Sequence, residues 1–259
     1  MSTPRRHDHD ASGDPDLLAA KAGLREQVWD LLESAGAARF PGVRNRISNF
    51  RGAEAAADRL ADTDAWQHAR TLKANPDSPQ WPVRQRALES GHLVYMAVPR
   101  LAEAEPFFLL DPDDLRDTPR RASSIRGASA SARTVAVADM RPVDLVVTGC
   151  VAVGLDGVRL GKGGGFSDLE FAIATEAGLV DDHTVVATTV HPAQVLDVGE
   201  IPHDDHDVLV DLVVTSDEVI EVQRGERSPA RIRWDELSEE KIAAIPVLER
   251  LRVDRGPTQ

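Results

Sequence analysis

From Asp14 onward, apolar residues recur at helical spacing: Leu17, Leu18, Ala20, Leu24, Val28, Leu31 and Leu32. Asp14 suits the cap of such a helix, Pro15 suits its first position, and Gly36 follows its end. Residues 53–70 read as one or two further helices, and residues 79–90 as another with Pro82 in its first turn. Strand-like runs occupy residues 69–75, 92–98, 106–110, 143–153, 184–190 and 208–215, with a weaker one at 218–222. Asn75-Pro76-Asp77 is a turn signal, and Pro99 stops the second run. A helix is expected at about 167–178 and a C-terminal one at 235–251.

The runs at 143–148 and 208–215 are apolar on both faces, which suits strands of a parallel sheet covered by helices. The expected architecture is therefore α/β, three-layered, with a mainly parallel sheet flanked by helices. Residues 111–142, rich in Pro, Ser, Arg and Asp, read as a connection with a short helix at best. They do not mark a domain boundary, because the later strands are needed to complete one sheet. A disordered tail is expected over residues 1–13, and a single domain over 14–259.

Composition narrows the function classes. The net charge of -13 argues against nucleic acid and acidic membranes as partners. No apolar run approaches the roughly 20 residues of a membrane span, and no signal peptide is recognisable, so a cytoplasmic protein is expected, as a monomer or weak homo-oligomer. Cys150, the only cysteine, cannot form an intramolecular disulfide and reads as a small buried filler. Lys21, Lys73, Lys162 and Lys241 are the only lysines. An aspartate-rich, lysine-poor surface is consistent with work in concentrated salt. It also makes each retained lysine worth a question.

The segment from Gly157 to Asp168 holds the clearest chemistry. Gly161, Gly163, Gly164 and Gly165 let the backbone bring N–H groups close to an anion, and the following helix points its positive end at the same place. Arg159 and Lys162 add full charges, and Asp168 offers a hard oxygen to magnesium. The pattern is neither a Walker A loop nor a dinucleotide fingerprint. A tight structural turn is the plain alternative.

Elsewhere the signals are weaker. His7 to Asp10 could bind a stray metal ion, and His203 to Asp207 reads as a solvated acidic loop. His191 and Asp197 lack a nucleophilic serine motif. Trp29, Trp66, Trp81 and Trp234 read as packing residues.

The loop RLGKGGGFSD resembles the Arg-Leu-Gly-x-Gly-x-Gly-Tyr-Tyr-Asp signature of 5-formyltetrahydrofolate cyclo-ligases. Lys21-Ala-Gly-Leu-Arg25 resembles that family's Lys-x-x-Leu-Arg opening, and the strands fall in its order over roughly residues 17–222. RISNF at 46–50, KANPDSPQ at 73–80 and GKGGGFSDLEF at 161–171 resemble its divergent, methenyltetrahydrofolate synthase domain-containing branch. Animal members of that branch carry an RNA-recognition module; aromatics here are only 4%, and no RNP-like stretch appears.

The resemblance implies a fold related to ribose-5-phosphate isomerase and CoA transferases. It implies ATP and Mg2+ as cofactors and a reduced folate or pterin as small-molecule substrate. In the implied reaction ATP phosphorylates the formyl oxygen of 5-formyltetrahydrofolate, N10 closes the ring, and phosphate leaves to give 5,10-methenyltetrahydrofolate. Carried over, Lys21 and Arg25 hold ATP phosphates, Arg159 and Gly161 to Phe166 cradle the triphosphate, and Asp168 holds magnesium. Lys21 and Lys162 take the direct catalytic part.

Departures fall mostly on the folate side. Gly149-Cys150 replaces Pro-Gly, Val153-Gly154 replaces Phe-Asp, and Ser167 replaces the second Tyr of the loop. A lysine often found between the second and third loop glycines is Gly164 here, with Lys162 two residues earlier. A nucleotide-binding paralogue without folate turnover, regulatory or thiamine-related, is the alternative.

Overall fold

The computed structural model describes residues 14–203, 207–223 and 230–255. The expected tail at 1–13, with its His7 to Asp10 run, lies outside the described residues, as does the centre of the acidic run at 204–206.

Helix α1 spans Pro15–Ser34, and Asp14 caps it by accepting a hydrogen bond from the Asp16 amide at 3.0 Å. Its buried face is Val28, Trp29 and Leu32, whereas Leu18 and Leu31 are exposed. The expected stripe thus holds only over the second half, where Trp29 takes the inner position given to Leu31. Helices α2 (Ala53–Ala61) and α3 (Asp64–His68) precede strand β1 (Thr71–Ala74). Helix α4 (Trp81–Glu89) leads to β2 (Leu93–Ala97) and β3 (Phe107–Leu110).

The 111–142 segment is more ordered than expected. It folds as α5 (Pro119–Ala122), α6 (Ile125–Ser131) and β4 (Arg133–Val135). Ser124 caps α6 through the Gly127 amide at 3.0 Å.

The long apolar run at 143–153 is two strands, not one. Strand β5 (Leu145–Thr148) lies in the large sheet, while β6 (Ala152–Gly154) joins β7 (Arg159–Leu160) in a small one. Next come α7 (Phe166–Glu176), β8 (Val185–Thr189), β9 (Val195–Leu196), β10 (Leu212–Val214) and β11 (Val219–Glu221). The expected C-terminal helix is α8 (Glu239–Ala244) and α9 (Pro246–Arg255). They separate at Ile245, held extended at φ -124° and ψ 93° because the ring of Pro246 disfavours helical backbone before it.

The large sheet has the order β11-β10-β8-β5-β1-β2-β3-β4. Its five middle strands, β10 to β2, run parallel; the edges pair antiparallel. Successive side chains face opposite layers, as a strand's period of two requires. In β2, Tyr95 and Ala97 pack with Leu169, Ile173 and Leu248 of α7 and α9, while Val94 and Met96 pack with Leu60, Val83 and Ala87 of α2 and α4. The mainly parallel, helix-flanked sheet expected from the doubly apolar runs is the one found. The small sheet, β7-β6-β9, packs under α1 through Val28, Trp29, Leu32, Val158 and Leu160. That contact brings α1 to the glycine loop. Among the described residues no helix is long and apolar enough to cross a membrane.

Candidate active site

Strands β1 and β5 are parallel neighbours, and the chain leaves both at their carboxyl ends, through Asn75 and Gly149. Crevices at such strand ends are where open α/β sheets take ligands. A cavity of about 670 Å³ opens there, bounded by α1, the 45–47 loop, the 75–78 turn, Val98 to Arg100, and the glycine loop. Two of the three described non-glycine residues with positive φ, Asn45 (58°) and Arg100 (61°), line it, and backbone strain of this kind gathers at functional sites.

Gly161 to Gly165 and Phe166 form one wall. Gly163 has φ 101° and Gly165 has φ 64°, a left-handed region that glycine enters without penalty. Gly165 begins α7, and no side chain caps that helix end, so its first N–H groups are left for an anion. Arg25 Nε donates to the Gly161 carbonyl at 2.7 Å. A side-chain carbon on Gly163 would lie 3.6 Å from the Arg25 guanidinium. The two signature motifs, far apart in the chain, therefore meet. Burial lowers the Arg25 guanidinium from its ordinary value. Lys162 stands at the rim, 45% exposed, its Nζ 3.8 Å from Asp77 Oδ1.

Two expected phosphate ligands sit elsewhere. Arg159 does not line the cavity. It is buried, donates to the carbonyls of Val208 (3.2 Å) and Gly149 (3.4 Å), and pairs with Asp168. Its guanidinium is held against the loop's carboxylate, away from the cavity surface. Lys21 does not line the cavity either; its Nζ donates to Asp207 Oδ2 at 2.8 Å, tying α1 to the segment before β10. Asp168 does face the cavity, with its side chain 40% exposed. Magnesium accepts one or two carboxylates and otherwise takes phosphate oxygens and water, so a single half-exposed Asp168 fits it. Among the described residues no group of three His, Cys, Asp or Glu converges on a metal position.

The sequence reading missed the cavity floor. Lys73, on β1, is buried and its Nζ donates to Glu170 of α7 and, at 2.9 Å, to Asn75 Oδ1. Asn75 Nδ2 donates to Ser167 Oγ at 2.6 Å, and Ser167 Oγ lies 2.9 Å from Thr148 Oγ1. Burial pushes the Glu170 carboxyl up, with Lys73 opposing. Beneath it, fully buried Arg84 donates to the carbonyls of Asn75, Pro76 and Asp77 and so fixes the turn that carries them. Burial pushes Arg84 down to about 10. Lys241 Nζ lies 3.5 Å from the Gly164 carbonyl and 5.6 Å from the Phe166 ring centre. Three of the four lysines, Lys73, Lys162 and Lys241, thus lie at the loop or its floor, and their scarcity in the sequence was the signal for Lys73 and Lys241. For Glu170 the signal was a charge inside the buried run Leu169 to Ala174.

Other expectations hold. Cys150 is buried, and burial pushes its thiol up to about 11, as befits an inert filler. Trp66 is core, whereas Trp29 packs and also lines the cavity.

Residues 18–216 match the 5-formyltetrahydrofolate cyclo-ligase family. The chain belongs to that family. This cyclo-ligase family member is 38% identical over 241 residues to a methenyltetrahydrofolate synthase domain-containing protein of Bos taurus, covering 92% of this chain and 63% of that protein. The Mus musculus protein of the same name is 39% identical over 235 residues, covering 90% of this chain and 63% of its own. The chain thus spans less than two thirds of the length of these relatives. The solution structure of Aquifex aeolicus 5,10-methenyltetrahydrofolate synthetase shares the fold, with a TM-score of 0.51 at 19% identity over 83% of this chain and 98% of that one.

Proposed function

We propose that the protein is an ATP-dependent cyclo-ligase acting on a formylated reduced folate or a close pterin relative, forming a 5,10-methenyl product. The observation that carries this reading is the meeting of Arg25 with the glycine loop at the uncapped end of α7, beside a cavity large enough for more than a nucleotide's phosphates. The loop N–H groups, Arg25 and Lys162 neutralise phosphate charge. Asp168, steered by Arg159, would hold magnesium; bound there, magnesium offsets the charge that develops on the transferred phosphoryl group. The remaining task is alignment of the formyl oxygen with the γ-phosphate, and then of N10 with the activated carbon. The fixed turn at Asn75 to Asp77 and the floor beneath it support that alignment.

Purified protein mixed with magnesium-ATP and 5-formyltetrahydrofolate should develop the absorbance of the methenyl product, in salt where the protein is folded. No absorbance change, with ATP still bound saturably, would sink the folate assignment. That outcome would favour the second reading, a nucleotide-binding paralogue. The feature on its side is Ser167, which stands where the resemblance places a stacking tyrosine and hydrogen-bonds to Asn75 and Thr148 instead.

A further inference from the structure

Glu170 lines the cavity although it is only 5% exposed. Its Oε2 accepts from Lys73. Among the described residues its Oε1 accepts no hydrogen bond, yet it is not sealed off from the cavity. A carboxylate has about four acceptor sites, and buried acceptors are normally filled. The neighbouring polar groups are already engaged. Asn75 is held at both ends by Lys73 and Ser167, and Ser167 is shared with Thr148. So the floor presents one carboxylate edge with spare acceptors, in a cavity whose wall includes the apolar Trp29, Ile47, Val98 and Pro99 and, toward the loop and rim, the charged Arg25, Asp77 and Lys162.

We propose that Glu170 is the specificity-determining residue for the second ligand, accepting paired N–H bonds from a 2-amino-4-oxo-pyrimidine edge, with Lys73 as its positioning residue. Such an edge carries an N–H and an adjacent NH2, both donors on one side. It matches a carboxylate in the same planar, two-point manner as a guanidinium. Oε1 takes one N–H, and the remaining acceptor capacity of Oε2 takes the other. Lys73 holds the carboxylate in one orientation, and Arg84 holds the strand end that carries Lys73 and Asn75 in place. The inference rests on the reading that the second ligand has a pterin-type ring.

The test uses full-length protein with magnesium-ATP present and two probes, pterin (2-amino-4-oxopteridine) and lumazine (2,4-dioxopteridine), titrated calorimetrically. Lumazine turns a carbonyl oxygen towards the carboxylate in place of the amine. The wild type should prefer pterin by about ten- to a hundred-fold, the worth of one charge-assisted hydrogen bond. Glu170→Gln should reduce the preference to about threefold or less, with ATP affinity kept within a similar factor. Lys73→Met should weaken the preference, and Lys73→Arg should restore part of it, which a purely structural role for Lys73 would not produce. Equal affinities in the wild type, or binding of neither probe, overturn the proposal whether or not the variants fold. Loss of the preference in Asp77→Asn, but not in Glu170→Gln, overturns it too. Turnover of 5-formyltetrahydrofolate is scored separately. A pterin preference without turnover sinks the cyclo-ligase reading alone, and turnover without the preference sinks this inference alone.

Discussion

Arg159 and Asp168 form an ion pair across the base of the glycine loop, with the guanidinium 4% exposed and the carboxylate 40% exposed. One partner belongs to the core and the other to the cavity. The stability of the fold and the placement of the carboxylate are therefore coupled.

That coupling is measurable. Arg159→Met strips donors from the Val208 and Gly149 carbonyls and should destabilise by about 1–3 kcal/mol. Asp168→Asn leaves the buried guanidinium facing a neutral amide, so the charge on Asp168 cannot be removed without cost to the fold. The double variant should be less destabilised than the sum of the two, by about 1 kcal/mol or more. Urea denaturation of all four proteins checks this. Additive losses would mean that the pair organises nothing.

Lys162 should behave oppositely. It is half-exposed at the rim, and its nearest carboxylate oxygen, on Asp77, is 3.8 Å away. Lys162→Ala should change stability by no more than about 0.5 kcal/mol. Calorimetric titration should show magnesium-ATP affinity falling about ten- to a hundred-fold. Gly163→Val should weaken ATP more, because valine is strained at φ 101° and its side chain would crowd Arg25. Unchanged affinity in both variants would return the loop to a plain turn.

Most of the fold could be read from the sequence, because its middle strands are apolar on both faces and its first helix carries a recognisable cap at Asp14. The break between β5 and β6 could not. A strand-like, mostly apolar run continues from Val143 to Val153, and Gly149 alone interrupts it as a glycine where the chain leaves one sheet for another. The glycine loop was legible, since its chemistry is local. Its supports were not: Lys73 meets Glu170 from 97 positions away, and Arg159 looks like any other loop arginine until its carbonyl partners are known.

Gly149 turns that observation into a prediction. A methyl group there would lie 2.9 Å from both Gln80 Oε1 and Ile47 Cγ2. Gln80 cannot retreat freely, being fully buried with its amide on Thr189. Gly149→Ala should destabilise by about 1–3 kcal/mol. It should also displace Ile47, which lines the cavity, and so reduce turnover more than ATP affinity. A fully stable, fully active variant would mean that the 47 and 80 side chains yield without consequence.

Acid sensitivity should trace in part to His92. Its ring is nearly buried, meets Trp66 edge-on at 5.0 Å, and has no partner at Nδ1. Burial lowers its pKa, although the backbone around Ala87, Trp66 and Ala69 and the charge of Asp144 pull the other way. The folded state therefore prefers the neutral ring, and the unfolded chain binds the proton more readily. That contribution to stability is complete above the unfolded value, about 6.5. It is lost as pH falls through the lower folded value. His92→Phe keeps a ring against Trp66 and removes the titration, so the loss of stability between pH 7.5 and 5.5 should be smaller in the variant. Burial lowers His191 as well, and a residual slope should remain from it. Urea midpoints at the two pH values decide the matter: a slope equal to or steeper than the wild type's would show that protonation of His92 does not oppose folding.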